Sequence, residues 1–515
     1  MQNHILLNKD SIRALLDARI SNDIQTLKDL PPPESLCNLT IIAKEIHKSI
    51  KNNKKITLIG DYDVDGVVSS VIVKEFFDLI SYPLDVVIPN RFKDGYGISK
   101  KLLERISADV IITVDNGINA VEAAKICEQK NIKLIITDHH NPPEILPSAL
   151  ICNPKLSPNF PQADICGACV AWYMCAALKK EMNLGVNMTI FLDFLALAIV
   201  SDVMPLSGIN RVLLKKGIEC IKNSNKTAFK ILKEKYKSHV DCELISFSFA
   251  PLLNCAGRMD SAMLSYEFLC ERDYAIGRKK FEHLLLLNEE RKKIQNQTYL
   301  HAKDMCENSG VIVVYDESWH EGILGIVSAR LSEEYKKTSI VLSTSDEGGV
   351  IKGSMRGESC MEILDSCSDL LLKYGGHNNA AGLSLKLENL EQLKDRLRFV
   401  ESFYARDDLV LGEVLFKDLD DEFFNMILCY EPYGEGNFKP HFKTKAKITN
   451  IKHIGNNGGH SAFVLRDDNL YLNAIKFGEE IPKILENSEI EIVFCHAFNY
   501  YGELIVRVIS YKEKE

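Results

Sequence analysis

"LIGDYDVDGVVSS", residues 58–70, puts Asp61, Asp63 and Asp65 at the end of a run of apolar β-formers. Gly66 comes after Asp65, which predicts a tight turn, and "VVSSVIVKEFFDLI" then turns helical. Three carboxylates this close repel one another. They are tolerated if exposed in a loop, or if a cation neutralises them.

The pattern repeats along the chain. Residues 55–60, 109–114 and 132–137 ("KITLIG", "DVIITV", "IKLIIT") are short, nearly continuous apolar runs separated by helical stretches such as "ISKKLLERI" and "NAVEAAKICEQKN". This is the signature of a parallel sheet covered by helices on both faces. Each run gives way at once to polar residues: Asp61, Asp63 and Asp65 after the first, Asp115-Asn116-Gly117 after the second, Asp138-His139-His140 after the third. The apolar "FLDFLALAIV" leads in the same way into Ser201-Asp202. Ligands of open parallel sheets bind outside the carboxyl ends of the strands, which is where these acids and histidines fall. A single Asp after a strand is an ordinary turn residue; four segments converging on one edge suggest a site. Carboxylates with imidazole and no thiolate suit Mn²⁺ or Mg²⁺ rather than structural zinc. Two such ions about 3.5–4 Å apart would activate a water and stabilise a leaving oxygen in phosphoester hydrolysis.

At 515 residues the chain is too long for one core. The pattern predicts a helical arm over 1–39, ending in "PPPE", and an α/β domain over 40–215. A helical region over 216–310 closes with the charged connector "IGRKKFEHLLLLNEERKKIQNQTYLHAKDMCEN". A second α/β domain over 311–400, a linker over 401–424 and a small β-barrel over 425–515 complete the order. No apolar stretch approaches the roughly 20 residues of a membrane span, and the N-terminus lacks a secretory pattern. Fifteen cysteines scattered singly through apolar segments read as a reducing cytoplasm. Cys166-Gly167-Ala168-Cys169 is the exception; with no second CxxC or CxxH pair, it reads as small buried residues at a helix start rather than a zinc site. A net charge of −9 does not mark a nucleic-acid binder, although a local groove can still be basic. "NFKPHFKTKAKITNIKHIG" (437–455) holds five lysines and no acid, as a solvated strand face or a phosphate-tracking surface would.

The motifs GDYDVDG, TVDNG, TDHH and AIVSDVMPL, in this order and spacing, closely resemble those of the DHH phosphoesterase superfamily. "NRFKDGYGIS" (90–99), "LLNCAGRMDSA" (252–262), "LNEERKKIQ" (287–295), "WHEGILGIVSARL" (319–331), "IKGSMRG" and "YGGHNNAAGLSL" (374–385) extend the resemblance to its RecJ branch, over nearly the whole chain from about residue 30. The resemblance implies a DHH domain, a DHHA1 domain and an OB-fold barrel. It also implies a single-strand-specific 5′-to-3′ exonuclease that releases mononucleotides with Mn²⁺ or Mg²⁺, in recombination and repair. Asp63, Asp65, Asp115, His139 and Asp202 match metal ligands, with Asp115 as the bridge. His140 is placed beside the scissile phosphate, and Asp61 and Asp138 orient the ligands. Arg91, Arg258 and Arg356 match arginines that contact DNA phosphates, and His377, in the Gly375-Gly376-His377 turn, contacts substrate across a cleft too narrow for duplex. The lysine run then reads as the path by which DNA enters. Cys169 departs from the family pattern, which has glycine there. The implied partners are single-stranded DNA, single-strand-binding protein and a helicase, with the enzyme a monomer. The chain stops soon after the barrel, so any further C-terminal partner-binding domain of larger relatives is expected to be missing. Two other readings stay open: a phosphodiesterase for short oligoribonucleotides or cyclic dinucleotides, and a non-catalytic scaffold, which would have lost metal ligands that this chain keeps.

Overall fold

The computed structural model describes residues 5–20, 24–307, 309–345, 348–400, 410–455, 459–467, 470–499 and 501–513. Five short strands, β1 (Ile56–Ile59), β2 (Asp85–Val87), β3 (Val110–Val114), β4 (Lys133–Thr137) and β5 (Leu150–Cys152), form a sheet of order β2-β1-β3-β4-β5. Every pairing in it is parallel. β1 and β3 are buried at every position, as continuous apolar runs require when helices cover both faces. Ile59, Ile111, Leu134 and Ile136 join Ala123, Ala124 and Cys127 of a flanking helix in one core. The parallel order sends the carboxyl ends of β1, β3 and β4 to one edge, carrying Asp61, Asp115 and Asp138 there together.

The run before Asp202, grouped in the sequence with the strands, is instead the helix Leu192–Ser201, whose C-cap is Asp202. Its alternating Leu and Ala favour a helix, and burial all round explains why no polar face marks it.

A second sheet of order β6-β7-β8-β10-β9 is built from β6 (Ile312–Tyr315), β7 (Ser339–Thr344), β8 (Val350–Arg356), β9 (Leu371–His377) and β10 (Ala380–Lys386). Only β6 and β7 are parallel. The expected connector is a single helix, Tyr274–Asp304. Gly375, Gly376 and His377, expected in a turn, are the last residues of β9, paired with β10 through Gly376↔Ala381 and His377↔Ala380.

The C-terminal strands β12 (His441–Ile454), β13 (His460–Asp467), β14 (Leu470–Lys476), β15 (Glu489–Phe498) and β16 (Leu504–Glu513) close into a barrel through pairing of β12 with β15. The expected linker is a further correction. Its residues 401–409 lie outside the described ones, but β11 (Val410–Glu413) pairs in parallel with β12, and the helix Asp421–Leu428 packs Phe423, Phe424 and Ile427 into the barrel core. The N-terminal arm belongs to the same core. Leu7, Ile12 and Leu16 are buried in it, each contributing roughly 1.5–3 kcal/mol by leaving water, while Lys9 pairs with Asp420 and Glu422 at the surface.

The chain divides into two compact units, one comprising Met1–Leu253, Ser265–Lys280 and Asp408–Glu515 and the other Asn254–Leu264 and Phe281–Asp407. The barrel therefore shares a unit with the parallel sheet. Arg211 links them, its guanidinium donating to the carbonyls of Tyr430 at 2.8 Å and of Glu431 and Pro432 at 3.1 Å. Among the described residues no helix is long and apolar enough to cross a membrane.

Candidate metal centre

The acids are placed by backbone devices rather than by other side chains. Asp63 is the N-cap of the helix Val64–Leu79 and accepts from the Gly66 amide at 3.1 Å. Gly66 is required here, since a Cβ on it would lie 2.5 Å from the Asp61 backbone. Asp65 points from the first turn of that helix to the start of another, Gly167–Glu181, whose Gly167 and Ala168 amides donate to its two oxygens at 2.6 and 2.9 Å. A helix N-terminus, with its unsatisfied amides and positive dipole end, suits a carboxylate. Asp115 has a left-handed backbone (φ 62°), which Asp adopts more readily than most residues. The next residue, Asn116, is fully buried, and its side-chain amide donates to the carbonyls of Ile59 and Val114.

Asp138 is engaged on both oxygens. One accepts from the Ile118 amide at 2.9 Å, and the other accepts from the His139 and His140 amides and contacts His140 Nδ1 at 2.7 Å. Nε2 of His139 lies 3.1 Å from Asp115 Oδ1, 3.6 Å from Asp202 Oδ2 and 3.7 Å from Asp65 Oδ2. Three groups have ligand atoms within 4.8 Å of one another: Asp115, His139 and His140; Asp65, His139 and Asp202; Asp61, Asp63 and Asp115. The five expected ligands, Asp63, Asp65, Asp115, His139 and Asp202, are thus brought together, and Asp61 and His140 stand among them. Asp115 joins two of the groups.

The electrostatics are unfavourable without a cation. Burial first, and then the neighbouring carboxylates, push Asp61, Asp115 and Asp202 well above the usual carboxylate range. Asp65 is raised by burial and by Asp63 to about 6, although the Ala168 and Gly167 amides counter them. Asp202 also caps the negative end of its helix, where a carboxylate is least welcome. Asp115 Oδ1 and Asp202 Oδ2 are buried and accept no hydrogen bond from the described residues, although His139 Nε2 stands 3.1 and 3.6 Å from them. A divalent cation, or a pair, would satisfy these orphaned oxygens and remove the repulsion, and the all-oxygen and imidazole donor set fits Mn²⁺ or Mg²⁺.

His140 behaves differently. Burial opposes its charged form, but Asp138 and the surrounding acids outweigh it and raise its pKa to about 9. Burial would likewise raise Asp138, yet its contact with His140 holds it below the usual value. In metal-free protein the raised imidazole therefore stabilises the fold fully below pH about 6.5, and this contribution is lost as pH rises through about 9. Asp138→Asn is expected to lower the His140 pKa and flatten the decline in unfolding midpoint between those limits. An imidazole NMR titration unmoved by the substitution would refute the pairing.

The remaining predicted residues fall in two places. Arg91 lies in the 90–99 loop, its Cζ 5.0 Å from the centre of the Tyr62 ring. Tyr96 of the same loop packs edge-on to both Tyr62 and His140. Arg258, Arg356, Gly375, Gly376 and His377 belong to the other unit. There Arg258 Nη1 donates to the Gly322 carbonyl at 3.2 Å, and a Cβ on Gly325 would lie 2.8 Å from Arg356 Nη2. Both arginines thus flank the start of the helix Leu324–Tyr335. His377 is exposed on β9. Of the five lysines at the barrel, Lys439 pairs with Glu243 at 2.9 Å and Lys443 with Glu491 at 2.8 Å, while Lys445, Lys447 and Lys452 are exposed. Cys166 and Cys169 are buried at the helix start with their sulfurs 3.5 Å apart, and the two residues between them, Gly167 and Ala168, anchor Asp65. Nothing in the sequence around Gly167 marks its placing role, and Asn116, although it stands in the TVDNG motif, carries no sign of the partners it holds.

Family models match in three segments: the N-terminal domain of the DHH family over residues 55–199, the DHHA1 domain over 308–403 and the RecJ OB domain over 412–504. The single-stranded-DNA-specific exonuclease RecJ of Bacillus subtilis (strain 168) is 32% identical over 492 residues, which are 90% of this chain. The chain spans 62% of that relative's length. The RecJ of Haemophilus influenzae is 30% identical over 495 residues, 88% of this chain and 86% of that protein. A crystal structure of RecJ from Thermus thermophilus in complex with Mn²⁺ superposes with a TM-score of 0.77 at 26% identity, covering 93% of this chain and 72% of that one. Its Mg²⁺ complex gives 0.74 at 25%, with 94% and 72% covered.

Proposed function

The chain belongs to the RecJ family of single-stranded-DNA-specific exonucleases, and we propose that it hydrolyses single-stranded DNA from the 5′ end to mononucleotides with two divalent cations, Mn²⁺ or Mg²⁺. The observation that carries the reading is the buried set of carboxylates and imidazole with orphaned oxygens at the sheet edge. Asp63, Asp65, Asp115, His139 and Asp202 would hold the ions. Bound there, the pair would supply Lewis acidity and an activated water.

The chain's own groups account for the rest. Asp138 holds His140 at 2.7 Å and favours its charged form, and an imidazolium there could face a phosphate's negative charge or give up a proton to a leaving oxygen. Asp61 lies beside Asp63 and Asp115 and helps orient them. Arg91, Arg258 and Arg356 present forked donors suited to phosphate oxygens, and Gly375, Gly376 and His377 offer an exposed strand end to the substrate. The barrel adds exposed Lys445, Lys447 and Lys452, and Tyr471 and Phe477 offer exposed rings on which bases can stack. The enzyme would act as a cytoplasmic monomer in recombination and repair, alongside single-strand-binding protein and a helicase.

The decisive test uses a long single strand labelled separately at each end, incubated with Mn²⁺. Early release of 5′-labelled mononucleotide is expected. A strand that survives while dinucleotides are cut would overturn the substrate assignment, and 3′-label release would overturn the polarity.

A further inference from the structure

We infer that Asn116 is a positioning residue that locks the acid-bearing loops into one register and so sets the affinity of the centre for its cations. The inference rests on the metal-dependent reading above.

Asn116 comes directly after Asp115 and is fully buried, yet its side-chain hydrogen bonds go to backbone groups and to none of the carboxylates. Nδ2 donates to Ile59 O at 3.1 Å and to Val114 O at 2.8 Å, and Oδ1 accepts from the Ile98 amide at 3.2 Å. Each of the three partners controls a different piece of the centre. Ile59 is the last residue of β1, directly before the Gly60–Asp63 loop and the first helical turn that carry the three acids. Val114 ends β3, so that bond closes the turn in which Asp115 is left-handed. Ile98 sits in the loop that carries Arg91 and Tyr96.

The same turn reaches the fourth segment as well. Thr113 Oγ1 donates to the Asn116 carbonyl at 2.7 Å, and the Ile118 amide donates to Asp138 Oδ2. Only a side chain with two donors and one acceptor on a short stem satisfies all three partners. Removing it takes one hydrogen bond each from the Ile59 and Val114 carbonyls and the Ile98 amide, at the point where Asp115 must face Asp61, Asp63 and His139. Gly97 completes the fit. Its φ is 58°, and a Cβ there would come 2.9 Å from Asn116 Oδ1.

The test is Mn²⁺ titration of the full chain by calorimetry, with folding checked by circular dichroism. Asn437 is the matched control. It is buried in the loop between the helix Asp421–Leu428 and β12 and spans two carbonyls in the same way, Tyr430 O at 3.1 Å and Pro432 O at 2.9 Å. Asn116→Ala is expected to weaken Mn²⁺ binding at least about tenfold, the scale seen when groups that orient metal ligands are lost. Asn437→Ala should lower the melting temperature comparably and leave Mn²⁺ affinity unchanged. Asn116→Asp separates positioning from direct ligation: it adds a carboxylate but removes both donors, so binding should weaken, whereas a ligand role predicts strengthening. Gly97→Ala presses on the amide without deleting it and should also weaken binding. Folded Asn116→Ala with wild-type Mn²⁺ affinity would overturn the inference; if that variant does not fold, wild-type affinity in Gly97→Ala would do so. A wild-type chain that takes up no Mn²⁺ would instead refute the metal-dependent reading itself.

Discussion

Asp115→Asn is expected to slow single-strand degradation at least about a thousandfold, roughly 4 kcal/mol of transition-state stabilisation at 1.36 kcal/mol per decade. Asparagine keeps the size of the side chain and tolerates the left-handed backbone at φ 62°, so the change removes charge with little strain. Asp115 joins two of the three ligand groups, so one substitution damages both. The two states of the protein should respond with opposite signs. In metal-free protein Asp115 is one of several buried acids that repel one another, and neutralising it should raise the melting temperature. With Mn²⁺ present, the wild type should gain stability by ligand linkage and the variant should gain almost none. Thermal unfolding with and without Mn²⁺ measures both. A variant that keeps the full Mn²⁺-induced gain would show that Asp115 does not hold the ions.

Much of this centre is legible because a buried parallel strand has few ways to be written. β1, β3 and β4 are continuous apolar runs, and the acids fall at once beyond their ends, where the sheet forces them to one edge. Local chemistry stops short in four places. Asp202 belongs to a helix buried on every side, so its apolar run carries no period that separates helix from strand. The N-terminal arm shows an amphipathic Ile12 and Leu16, but their partners are barrel residues some 400 positions away. Asn116 and Gly167 have no local signal because each role depends on what the fold brings alongside: Ile59 and Ile98 for one, Asp65 and Asp115 for the other. His140, one residue from a ligand candidate, shows its charge only once Asp138 is seen to grip it.

Gly167→Ala carries the second large effect, and its sign runs against the usual rule. Inside a helix, glycine to alanine normally stabilises by about 0.5–1 kcal/mol. Here the new Cβ would stand 2.5 Å from Asp115 Oδ1 and 2.7 Å from its Cγ, closer than real Cβ atoms approach. Either Asp115 moves or the start of the helix Gly167–Glu181 moves. The second escape is no better, because that turn supplies the amides that hold both oxygens of Asp65. Mn²⁺ affinity should fall at least about tenfold, and activity with it, by about a hundredfold. Gly185→Ala is the control, since a Cβ there meets nothing within 4 Å. If the damage travels through Asp115, adding Gly167→Ala to Asp115→Asn should cost far less than the two single effects combined. Additive losses would place the harm elsewhere in the helix, and a Gly167→Ala enzyme with wild-type Mn²⁺ affinity would show that the centre does not depend on this close approach.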